Sequence, residues 1–127
     1  MARRHWDWMA QAERDLEHAK KSLDIQDFEW VCFAAQQAAE KAIKAVIESK
    51  NGKSKTHSLL NMITTLGVNN EDIIHACMRL DRNYFLPRYP NGFSSGYPGQ
   101  YYFRKDAEQA IADSESIIKL CKSKIVE

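Results

Sequence analysis

Apolar and polar positions alternate along this chain with a helical period, most clearly from Phe28 to Ser49. That stretch reads FEWVCFAAQQAAEKAIKAVIES, holds no Gly or Pro, and is crowded with Ala, Gln, Glu and Lys, the strongest helix formers. At about 100° per residue, Val31, Ala34, Ala35, Ala38, Ala39, Ala42, Ile43, Ala45 and Val46 share roughly half the circumference. Gln36, Gln37, Glu40, Lys41, Lys44 and Glu48 take the opposite side. An apolar face this wide meets more than one neighbour, which predicts the central helix of a bundle whose small side chains let its partners come close. Trp30, Phe33 and Ile47 fall on the polar side, where the following loop or a second subunit would cover them.

The same period predicts four more helices. The first spans about Trp6 to Leu23, with Met9, Ala12, Leu16, Ala19 and Leu23 buried and His5 and His18 at the surface. Asp24 to Asp27 make a turn short enough to set it antiparallel to the central helix, with Asp27 as the expected N-cap. Ser58 to Leu66 forms a short helix capped by Thr56 or Ser58. Glu71 to Arg82 follows, capped by Asn70 and burying Ile73, Ile74, Cys77 and Leu80. The last helix, about Lys105 to Ile125, buries Ala107, Ala110, Ile111, Ser114, Ile117, Ile118, Cys121 and Ile125. The expected fold is all-α: an antiparallel up-and-down bundle of about five helices in one domain, residues 1–127.

Between the last two helices, Asn83 to Phe103 carries all three prolines and three of the five glycines of the chain, so no long helix fits there. At about twenty residues it is longer than an ordinary connector. Its rings argue against disorder. Either they lie over apolar helix faces, or the tyrosines stack on a base while Arg82, Arg88 or Arg104 meets a phosphate.

Composition narrows the function classes. The net charge of +1 speaks against bulk attraction to nucleic acid while leaving room for a local basic patch. Lys50, Lys53 and Lys55 mark such a patch in the loop after the central helix, although solvated loop charges are the plainer account. Cys32, Cys77 and Cys121 are odd in number, far apart and in no CxxC pair, so they are expected to be reduced thiols of a cytoplasmic protein, buried in helices. No apolar run approaches the roughly 20 residues of a membrane span. There is no HExxH, P-loop or GxGxxG spacing, and the residues call for no metal or cofactor. His57 stands out among the imidazoles because it lies at a helix start beside the basic loop.

AERDLEHAKKSL, FAAQQAAEKAIKAVI, HSLLNMI and LDRNYFLPRYPN, followed by a helix, strongly resemble the HEPN domain (higher eukaryotes and prokaryotes nucleotide-binding) in the right order over nearly the whole chain. The resemblance implies an antiparallel helical bundle, usually homodimeric. It also implies frequent pairing with small nucleotidyltransferases, often in toxin–antitoxin systems. Many members are metal-independent ribonucleases with an Arg, a polar residue and, a few positions on, a His. The Arg holds the scissile phosphate and the imidazole moves a proton. Arg82-Asn83 matches the opening, no His follows, and Tyr89 stands about where it should. A phenol is a poor general base at neutral pH.

Three readings follow. In the first, a non-catalytic protein binds a nucleotide or RNA through Arg82, Tyr84, Arg88 and Tyr89, with Lys53, Lys55 and His57 beside them. In the second, the same aromatic surface binds only protein, a nucleotidyltransferase above all. In the third, His57 or Tyr89 replaces the missing imidazole of a divergent ribonuclease, alongside Arg82 and Asn83.

Overall fold

A computed structural model describes residues 4–125. Six α-helices run in the order α1 (His5–Asp24), α2 (Phe28–Ser49), α3 (Leu59–Thr65), α4 (Glu71–Asp81), α5 (Pro98–Tyr101) and α6 (Arg104–Lys124), with no strand among the described residues. The expected all-α bundle is what forms. The sixth helix is α5, a single turn inside the aromatic loop, begun by Pro98 and tied by the Tyr97 N–H donating to Gln100 Oε1 at 3.1 Å.

Helix α2 is the hub, packed most extensively on α1 and α6, while α4 bridges α6 and α3. Its buried alanines explain the closeness: Ala35, Ala38, Ala39, Ala42 and Ala45 are wholly inaccessible. Met9, Ala12 and Ala19 of α1 and Ala107, Ile117 and Cys121 of α6 complete that core. All three cysteines are free and buried, as expected. No helix among the described residues is long and apolar enough to cross a membrane.

Several local expectations need correction. Asp27 does not cap α2 through its side chain. Its N–H closes the end of α1 instead, donating to the Ser22 carbonyl at 3.0 Å across a turn in which Gln26 adopts φ +64°. His5 is buried rather than at the surface. Gln36 and Glu40, on the side of α2 that periodicity assigns to water, are also buried. The loop after α2 folds back over that side and covers them. Ser58 and Asn70 cap α3 and α4 as expected, each accepting from a backbone N–H three residues on.

Candidate functional site

Two loops that are distant in sequence are brought together by one carboxylate. Asp81, the last residue of α4, accepts from the Leu59 N–H at 2.7 Å and the Leu60 N–H at 3.1 Å. Those amides are unpaired donors of the first turn of α3, so Asp81 completes the cap that Ser58 begins. His57, just before α3, is thereby set against Tyr84, just after α4.

Tyr84 anchors a ladder of rings and one cation. His57 stacks on it, centroids 4.3 Å apart and planes within 17°. The Arg88 guanidinium lies 4.8 Å from the Tyr84 ring, 4.3 Å from that of Phe33 on α2, and 5.1 Å from that of Tyr89. Tyr89 in turn stacks on Phe85 at 5.0 Å. Phe33, the aromatic that periodicity left on the polar side, is thus covered by the Arg88 segment, with Trp30 edge-on to it at 6.3 Å. Arg88 Nε and Nη2 both donate to the Tyr84 carbonyl, at 2.8 and 2.5 Å, so half of its fork holds its own loop in shape. Tyr89 and Phe85 keep exposed faces.

Beneath the ladder lies a buried polar cluster on α2. Both carboxylate oxygens of Glu40 lie 3.1 Å from His57 Nδ1. Lys44 Nζ donates to Glu40 Oε2 at 3.0 Å, and Gln36 Nε2 donates to Oε1 at 3.3 Å and to the His57 carbonyl at 3.4 Å. Glu40 is almost fully buried while the His57 side chain is 50% exposed, so the imidazole has one nitrogen fixed from below and the other toward solvent. Helical spacing carried a signal for this cluster: Gln36, Glu40 and Lys44 form one i, i+4, i+8 stripe, and His57 immediately precedes a helix cap.

The remaining candidates separate from the ladder. Arg82 and Asn83 line a groove of about 370 Å³ with Arg79, Tyr102, Asp106 and Gln109, of which neither His57 nor Arg88 is part. There the Tyr102 hydroxyl donates to Asn83 Oδ1 at 3.3 Å. Burial first, then its charged surroundings, pushes that phenol above its ordinary value, so it stays protonated. Arg82 makes no hydrogen bond or ion pair among the described residues, whereas neighbouring Arg79 is committed to buried Asp113 by two bonds of 2.9 and 2.8 Å. Arg104 lies over the Phe28 ring at 5.3 Å. Lys53 lines a second groove of about 730 Å³ with Trp8, Arg14, Lys41 and Lys44. Lys55 is exposed. No cluster of three potential metal ligands occurs among the described residues.

The site can therefore stack an exposed base on Tyr89 or Phe85 and offer a hydrogen bond at the outer nitrogen of His57. No imidazole is among the residues lining the groove of the Arg82–Asn83 pair.

The family model for the HEPN domain matches residues 5–124. A protein of Methanocaldococcus jannaschii named "Putative toxin MJ1304" is 26% identical over 132 residues, spanning 94% of this chain and 87% of that protein. Among solved structures, TT1696 from Thermus thermophilus superposes with a TM-score of 0.94 at 35% identity, over 97% of this chain and 99% of that one. ST0689, described as an archaeal HEPN homologue, gives a TM-score of 0.85 at 34% identity over 99% and 100% of the two chains. A HEPN domain protein from Thermotoga maritima gives 0.74 at 30% identity, over 92% and 95%.

Proposed function

The chain belongs to the HEPN domain family, and from that premise we propose that it is a toxin–antitoxin-like HEPN protein that binds single-stranded RNA or a nucleotide without cleaving it. The relative named as a toxin fits the toxin–antitoxin part of this reading. The observation that carries the binding part is the ladder of His57, Tyr84, Arg88, Tyr89 and Phe85, with ring faces left exposed at its outer end. Aromatic faces take bases whatever their sequence. Lys53 and Lys55, on the loop that carries His57, supply charge for the phosphates. Arg88 acts here by shaping the platform, because the Tyr84 carbonyl already holds two of its donors. Cleavage is disfavoured because no imidazole lines the groove of Arg82 and Asn83.

A second reading has its own support. Trp30, Tyr97 and Phe103 expose large parts of their rings, a composition suited to protein contact, either a homodimer or a nucleotidyltransferase partner. Trp30 adjoins the ladder through Phe33, so the two readings share part of one surface.

Fluorescence anisotropy with a labelled single-stranded RNA tests the first. Tyr89→Ala is expected to weaken binding roughly tenfold or more, and Lys53→Ala with Lys55→Ala to flatten its salt dependence. Absence of RNA or nucleotide binding, combined with co-purification of a nucleotidyltransferase, leaves the protein-binding reading alone. Metal-free RNA cleavage that disappears in Arg82→Ala would restore the ribonuclease reading.

A further inference from the structure

We propose that Asn91 is a site of spontaneous deamidation, and that its conversion to isoaspartate disables the recognition face. The chain holds two Asn-Gly pairs, Asn51-Gly52 and Asn91-Gly92. In such a pair the glycine nitrogen is the nucleophile, left unhindered by the missing side chain. It gives its proton to water and bonds to the asparagine Cγ, while the Cγ–Nδ2 bond breaks and ammonia leaves. Water then opens the cyclic imide at one of its two carbonyls, which yields aspartate or isoaspartate. Both asparagines are exposed, and neither side-chain amide makes a hydrogen bond among the described residues.

The fold separates the two nucleophiles. The Gly52 N–H donates to the Ile47 carbonyl at 2.9 Å, beside bonds from the Lys50 N–H to Ile47 at 3.1 Å and from the Asn51 N–H to Glu48 at 3.0 Å. These close the end of α2, so freeing the Gly52 nitrogen means unwinding a helix end. The Gly92 N–H reaches the Tyr89 carbonyl at 3.4 Å, in a single 3₁₀ turn over Pro90–Gly92. That turn is otherwise closed by the Phe93 N–H donating to the Pro90 carbonyl at 3.0 Å. A short, exposed turn with one long bond opens at low cost.

Position gives the reaction its consequence. Tyr89 is stacked on Phe85 at 5.0 Å and Phe93 on Tyr101 at 4.4 Å. Isoaspartate at position 91 routes the main chain through Cβ, so it lengthens the short span between two rings that are each held in place. One stack has to give, and the added carboxylate repels a phosphate. This effect on binding rests on the recognition reading, whereas the rearrangement itself does not.

The test incubates the full chain at mildly alkaline pH and follows its proteolytic peptides by mass spectrometry. Asn91 is expected to convert roughly two- to tenfold faster than Asn51, the scale of one net hydrogen bond. Its product is expected to accept methyl groups from an isoaspartyl methyltransferase. In denaturant, where the fold protects neither pair, the two rates are expected to draw level. Matching rates in the native chain, a faster Asn51, or a preference that persists unchanged in denaturant overturns the assignment. Affinity for labelled single-stranded RNA is expected to fall in step with the converted fraction, and Asn91→Gln, which cyclises far more slowly, to hold its affinity through the same incubation. A loss that proceeds unchanged in Asn91→Gln overturns the link to recognition. Fresh protein that binds no RNA overturns the recognition reading, while the peptide masses still decide Asn91.

Discussion

Along α2, Ala35, Ala38, Ala39 and Ala42 meet neighbouring helices with methyl groups alone, whereas Gln36 and Glu40, a step around the same helix, are buried with their polar atoms engaged. The first side asks only for shape, and its partners are long helices whose own periodic stripes face it. The second side depends on groups delivered from outside: the His57 ring and carbonyl, carried by a loop that Asp81 holds in place from the end of α4. Burial by shape tolerates loss of a neighbour's charge but not added volume. Burial by hydrogen bonding tolerates small shifts but not an orphaned group. The scaffold role falls to the first side, and the proposed recognition face adjoins the second.

Breaking each side separately sharpens the contrast. Ile43→Ala, at a wholly buried position on the shape-packed side, is expected to cost about 2–5 kcal/mol in chemical denaturation. Nucleic-acid binding, measured well below the lowered transition, is expected to stay as it was. Glu40→Ala is expected to cost less, about 1–3 kcal/mol for the unpaired polar groups it leaves, yet to alter RNA binding because His57 loses its orientation. The contrast collapses if Ile43→Ala changes binding more than Glu40→Ala does.

At neutral pH the thiols contribute the smallest effect, none at all. Burial, then neighbouring carboxylates, pushes Cys32 and Cys77 from the ordinary 9.0 up to about 12, and burial does the same for Cys121. Below pH 9 both folded and unfolded thiols are protonated and contribute no pH dependence. Above it the unfolded thiols ionise while the folded ones hold their protons. Stability carried by the cysteines is therefore expected to decline from about pH 9 toward about pH 12. A denaturation series across that range checks it, alongside a thiol reagent that labels the native protein slowly and the unfolded protein at once.

What could be seen in the chain without coordinates was whatever is local. The alanine arc of α2, the stripe of α6 from Ala107 to Cys121 and the caps Ser58 and Asn70 depend on spacing within a few turns and stand as expected, whereas Ile125 lies past the end of α6 and is only partly buried. Asp27 stands at the N-cap position of α2 as expected, its carbonyl accepting from the Val31 N–H and its own N–H closing α1, but its side chain makes no capping bond. Glu40 was hidden for a deeper reason: a polar residue at a wet helical angle changes meaning when a loop seventeen residues on closes over it. Arg88 belonged to the candidate segment but not in the role a free arginine suggests, since its fork turns inward to the Tyr84 carbonyl. Arg82 lines a groove that His57 does not, although Asp81 and Tyr84 on either side of it meet the His57 segment, an arrangement that no residue type announces.

The double bond of Asp81 to the first amides of α3 has a mechanical consequence. It ties the segment that starts at Arg82 to the one that ends at His57, beside Glu40. A partner that levers the tyrosine-bearing arm away from the bundle would pull on the same bonds that hold the imidazole against its carboxylate.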